Sequence, residues 1–211
     1  MDRNGQKTPK NIVKEALYSK LLGIEPFDLE GDNPVPHDLG ELFERYTLHF
    51  GHPAGIRSLK DFKKLRQEFA IALRHHEDLY NLCLNVAKQA LDKGLPYVMF
   101  GVSSDARILK NCCKEVVLEV NRAKSLRFAP HPENHQIIYA DYHINHYTAD
   151  LILKYFNRRF PTKIILLTSR KYGFWIRNNE VSMKNLNEFS ISDLDQTSQE
   201  EREIPYWKVA R

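Results

Sequence analysis

"QIIYADYHINHYTADLILKYFNRRFPTKIILLTS", residues 136–169, changes its hydrophobic period twice. Across the first run, alternation puts Ile137, Tyr139, Asp141 and His143 on one face and Ile138, Ala140 and Tyr142 on the other, as in a strand. Ala149, Ile152, Leu153, Phe156 and Phe160 then recur at helical spacing and form one apolar stripe. "KIILLTS" is strand-like again. Upstream, "LRFAP" and "HPENH" make a hairpin partner and a loop for the first strand. Downstream, "GFWIR" and "EVSMKN" add two strands joined by "RKY" and "NN" turns. The expected order is β-β-α-β-β-β, with a small, mainly antiparallel sheet.

The N-terminal half reads differently. Thr8 caps and Pro9 opens a helix over "TPKNIVKEALYSKLLG", and Gly23 stops it. "IEPFDLEGDNPVPHDLG" is expected as an ordered loop, and "ELFERYTLHF" as a short helix. Ser58 is expected to cap "LKDFKKLRQEFAIALRHH", which continues through "EDLYNLCLNVAKQALDKG" as helix up to Gly94. "LPYVMFGV" fits a buried strand or a further helix. "SDARILKNCCKEVVLEVNRAKS" is a strong helix. The fold class is therefore α+β. Residues 1–125 are a helical region, 126–190 a small sheet with its helix packed on it as one compact domain, and 191–211 a partly ordered tail.

Composition narrows the function classes. Of 211 residues, 42% are hydrophobic and 11% aromatic, enough for a core and too many for a disordered chain. The net charge of +4 permits a polyanionic partner without requiring one. Cys83, Cys112 and Cys113 are odd in number and contain no CxxC, which points to reduced, buried thiols in a cytoplasmic protein. The polar start "MDRNGQKTPK" lacks an apolar core, and no run approaches the ~18 residues of a membrane span. A Gly-rich phosphate loop, a Ser/His/Asp arrangement and a CxxC pair are all missing, so no cofactor is implied.

Two constellations carry the chemistry that remains. In the first, Asp141 and His143 end a strand, while His146 is expected in the first turn of the following helix with Asn145 as its cap. The positive end of the helix favours a neutral imidazole there, able to relay a proton, and free amides beside it can hold a phosphate. The bland alternative pairs Asp150 with Lys154 and makes His146 a boundary residue bonded to Asp150. Asp141, His143 and His146 also spell D-x-H-x-x-H, a set able to hold zinc or ferrous iron, but no further ligand run accompanies it and no metal is assigned.

The second constellation is "EVNRAKSLRF", residues 119–128. Arg122, Lys124 and Arg127 form a phosphate-binding edge, which Arg158, Arg159 and Arg170 would extend if they share its side. The bland alternative pairs Glu119 with Arg122 and gives Lys124 to the helix C-terminus. If the hairpin pairs as drawn, Arg127 lies near Asp141 or His143. Tyr172, Phe174 and Trp175 could stack on a base, although core packing accounts for at least two of them.

"EVNRAKSLRF", "YADYHINHYTADLILKYFNRRF" and "KIILLTSRKYGFWIRNNEV" together resemble the uncharacterised "probable DNA metabolism protein" family. Its domain of unknown function is associated with, or fused to, uracil-DNA glycosylase-like proteins. Glu119, Arg122, Lys124, Arg127 and Phe128 match its first segment. Tyr139, Ala140, His146, Phe156 and Arg159 match its second. Asn121 stands where the family tends to have His, His143 where it has Glu, and Asn145 where it has Asp. The resemblance implies a role in DNA repair or base metabolism and names no catalytic residue.

Three readings follow. The first is a nucleic-acid-binding protein of DNA metabolism that meets phosphates through Arg122, Lys124, Arg127, Arg158 and Arg159. The second is an enzyme acting on a base or phosphodiester, with Asp141, His143 or His146 as general base and Arg127 stabilising developing charge. The third is a non-enzymatic protein partner of a DNA glycosylase.

Overall fold

The computed structural model describes residues 7–23 and 38–194. The fold is α+β, with helices mostly in the N-terminal half and one five-stranded mixed sheet in the C-terminal half. The chain forms two compact units, Met1–Glu115 and Val116–Arg211. Among the described residues, no helix is long and apolar enough to cross a membrane.

In the first unit, α1 (Pro9–Leu21) starts as expected: Thr8 Oγ1 accepts from the Asn11 N–H at 3.2 Å, and Pro9 occupies the first turn. Three more helices follow, α2 (Leu39–Phe50), α3 (Lys63–Ala72) and α4 (Tyr80–Lys93). A short α5 (Leu95–Met99) resolves "LPYVMFGV" as helix, and α6 (Ser104–Ala123) runs on into the second unit. Ile12, Leu17, Leu42, Leu65, Phe69 and Leu109 anchor the core around the buried Cys83.

Two expectations fail here for local reasons. Ser58 does not cap α3. Asp61 instead accepts from the Arg57 and Ser58 N–H groups at 2.8 Å each, holding residues 57–61 in a turn and delaying the helix to Lys63. Nor do α3 and α4 form one helix. The link 73–79 buries His75, whose Nε2 meets Glu115 at 3.2 Å and whose Nδ1 accepts from the Glu77 N–H at 3.2 Å. Asp78 Oδ1 then accepts from the Tyr80 N–H at 3.2 Å and restarts the helix. Gly94 ends α4 at φ 90, with its missing Cβ position 2.6 Å from Ala54 Cβ, so both backbone and space demand glycine. All three cysteines are free thiols.

The second unit follows the expected order: β1 (Ala129–Pro130), β2 (Ile137–Asp141), α7 (Ala149–Arg159), β3 (Ile164–Ser169), β4 (Tyr172–Arg177) and β5 (Glu180–Asn185). Strands lie side by side in chain order. Pairing is antiparallel throughout except between β2 and β3, which are parallel with α7 as their crossover. Asn178 and Asn179 turn β4 into β5 with φ 49 and 67, the two left-handed residues of a tight hairpin turn.

Ala140, Ile165, Leu167, Phe174 and Ile176 pack with Leu153 and Phe156 of α7. The other face gathers Ile137, Ile164, Leu166 and Trp175 with Leu194. Phe174 and Trp175 are therefore core residues. Of the expected tail, Ile191–Leu194 form a 3-10 turn with Leu194 buried. Of the expected loop after Gly23, residues 24–37 lie outside the described residues, as does the tail beyond Leu194, including "IPYWK", while Leu39 and Gly40 belong to α2, which starts two residues earlier than expected.

Candidate nucleic-acid interface

Strand register decides where each candidate residue stands. Ile137 pairs with Ile164 and Asp141 with Thr168, so β2 and β3 end at one edge. Helix α7 begins just past that edge and returns through the short link 160–163 to the start of β3, so it runs back along both strands. In sheets with parallel strands, this carboxyl edge is where ligands are usually bound.

Residues 142–148 bridge β2 to α7, and most of their backbone N–H groups have a partner. The Tyr142 N–H donates to the Thr168 carbonyl at 2.9 Å, continuing the parallel ladder. Ile144 N–H donates to the buried Ser169 Oγ at 2.9 Å. The Glu119 carboxylate, only 6% exposed, takes the next groups. Its Oε2 accepts from the Asn145 N–H at 2.7 Å, and its Oε1 from the Thr148 hydroxyl at 2.5 Å. The His146 N–H lies between the two oxygens at 3.2 and 3.3 Å. Tyr142 Oη donates to the Glu119 carbonyl at 3.0 Å. Burial pushes that phenol up, the Glu119 charge adds to the rise, and nearby Arg122 opposes it.

This geometry overturns several expectations. Helix α7 starts at Ala149 with Thr148 as the residue before it, so His146 is not in its first turn and Asn145 is not its cap. The amides of residues 145 and 146 are not free for a phosphate, because Glu119 already holds them. Glu119 itself engages residues 145–148, a site 26–29 positions away in sequence, and not only its own helix. Lys124 Nζ donates to Asn121 Oδ1 at 2.7 Å and stands 5.6 Å from the centre of the Tyr155 ring.

Asp141, His143 and His146 do not converge either. Among the described residues these three do not together form a group spaced to hold a metal. Asp141 and His143 are exposed at the edge, whereas His146 is buried. His143 meets another partner, Arg170, the first residue after β3. The Arg170 Nη2 lies 2.6 Å from His143 Nε2 and donates to Asn145 Oδ1 at 3.3 Å. A guanidinium only donates, so His143 Nε2 accepts in this contact. Arg170 has φ 51, an uncommon setting for a side chain of this size.

The basic residues divide between two ends of the sheet. Arg122 lies close enough to Tyr142 to act on its phenol. Strand β1 contains only Ala129 and Pro130, paired with Tyr139 and Ile138, so it stops short of Arg127. Arg170 stands at the carboxyl edge and Arg122 acts on Tyr142 just past β2, while Arg127 precedes the paired residues of β1. Arg158 and Arg159, at the end of α7, lie at the opposite end.

Residue type and spacing alone pointed to Arg170 only as one more cation. Its role needed the adjacency of β2 and β3, which brings it next to residues 143 and 145. The chain matches no protein-family model, curated protein or solved structure with which it was compared.

Proposed function

We propose that the second unit binds nucleic acid, DNA above all, at the carboxyl edge of β2 and β3. One observation carries this reading: Arg170 engages His143 and Asn145 at that edge, where Arg122 and Arg127 would join it. Phosphates would meet these three cations, in keeping with the likeness of "EVNRAKSLRF" and the 139–160 segment to a DNA metabolism family. Arg158 and Arg159 are left outside the site, and Lys124 is engaged with Asn121 and Tyr155. DNA repair or base metabolism is the role this reading favours.

A second reading has a specific observation behind it. His143 is exposed and its Nε2 accepts from Arg170, so a phosphate that drew the guanidinium away would free that nitrogen as a general base beside a charge stabiliser for chemistry on a base or phosphodiester. In that version His143 replaces the buried His146 as the base, and His143→Ala abolishes turnover while sparing binding.

The test is binding to fluorescently labelled single- and double-stranded DNA at two salt concentrations. Arg170→Ala and the Arg122→Ala/Arg127→Ala pair should weaken a salt-sensitive affinity, each lost phosphate contact lowering the log–log salt slope by about 0.7–0.9. Arg158→Ala/Arg159→Ala should change it little. Equal losses in both sets would overturn the placement. No binding at low salt would favour a protein partner such as a glycosylase.

A further inference from the structure

We propose that Glu119 is a positioning residue for the edge cluster: an internal carboxylate seated among the 145–148 donors that sets the loop presenting His143 and Asn145 to Arg170. The proposal rests on the binding reading above and deepens it by assigning the loop geometry to one side chain.

The seat has the chemistry of an oxyanion site. Two backbone N–H groups and one hydroxyl converge on Glu119 at 2.5–3.3 Å, just before the positive end of α7. Glu119 is buried, so its side chain is shielded from water and held by its donors. The same short segment is tied to Ser169 at Ile144, directly before Arg170. Glu119 and Ser169 therefore clamp residues 144–148 from two sides, and Asn145 supplies both an amide to Glu119 and an acceptor to Arg170. A phosphate arriving at the edge meets the Arg170 side chain and not these amides, because the carboxylate fills their place. Removing Glu119 should leave a seat that a small carboxylate can enter.

Full-length wild type, Glu119→Ala and Thr148→Val would be compared in three measurements: thermal stability, the NMR ring resonances of His143, and DNA affinity. Each is made in sodium chloride and in sodium formate at equal ionic strength. In Glu119→Ala the His143 resonances should move and DNA affinity should fall about tenfold. Formate, and not chloride, should return both towards wild type. Thr148→Val loses one of the three donors and keeps the carboxylate, so it should give a smaller shift of the same His143 resonances.

Unmoved His143 resonances in a folded Glu119→Ala protein would overturn the positioning role. Equal effects of formate and chloride would overturn the oxyanion seat. If Glu119→Ala does not fold, Thr148→Val decides: an unchanged His143 spectrum overturns the proposal. Failure of wild type to bind DNA would reject the binding reading, while the His143 spectrum still judges Glu119.

Discussion

Among the described residues, the helical unit buries one polar side chain, His75, whereas the sheet unit buries Glu119, His146, Thr148, Asp150 and Ser169. Those five lie on or beside the β2–α7 junction. A fold holds a buried charge only where donors meet it, because an unpaired buried carboxylate is far costlier than an apolar residue of its size. The helical unit is thus organised by apolar packing around raised-pKa thiols. The sheet unit gives part of its interior to a hydrogen-bonded carboxylate, and the same junction leads to the exposed Arg170, His143 and Asn145.

The sharpest way to break this contrast is to damage one unit and watch the other. Phe69 is fully buried in the helical core, so Phe69→Ala should cost roughly 3–5 kcal/mol in chemical denaturation. The His143 ring resonances of the folded fraction should stay unmoved. A shifted His143 spectrum would mean that the edge depends on helical packing and that the contrast is drawn in the wrong place.

A smaller effect is expected at Gly94. An alanine there must adopt φ 90 and place its Cβ 2.6 Å from that of Ala54 and 2.8 Å from the Ala54 carbonyl oxygen. Gly94→Ala should destabilise by roughly 2–3 kcal/mol through strain and overpacking. A melting temperature equal to wild type would show that the 54–55 turn moves freely.

A further test is a pH dependence. Burial pushes the Cys83 and Cys112 thiols up, and that of Cys113 up to about 12. Burial also raises the Tyr80 phenol, with its hydrogen bond to Glu15 adding to the rise. In the unfolded chain, thiols titrate near ~8.5. Between that value and the raised folded ones, the native state keeps protons that the unfolded state has released. These groups therefore contribute fully below about pH 8.5, and their contribution is lost as pH rises through the folded values. The urea midpoint should fall from pH 8 to 10, with alkylation of the native thiols slow over the same range. A flat midpoint would place the thiols in contact with water.

Much of the architecture was legible because it rests on short-range spacing. The change from alternation at 137–143 to helical spacing at 149–160 located β2 and α7. The Asn178–Asn179 pair located a hairpin, and Thr8 with Pro9 located the start of α1. These features follow from which residues face apolar surroundings and which backbones tolerate left-handed turns. The break between α3 and α4 was hidden, because it depends on His75 reaching Glu115, 40 residues on.

The edge was hidden in the same way. That Asp141, His143 and the three arginines Arg122, Arg127 and Arg170 were candidates could be read from residue type. That Arg170 meets His143, that Arg158 and Arg159 do not join it, and that Glu119 closes the loop amides could not. Periodicity reports which side of an element is apolar and carries no information about which distant strand lies beside it. The parallel pairing of β2 with β3 supplied that neighbour for Arg170, and Glu119 of α6 supplied it for the loop amides.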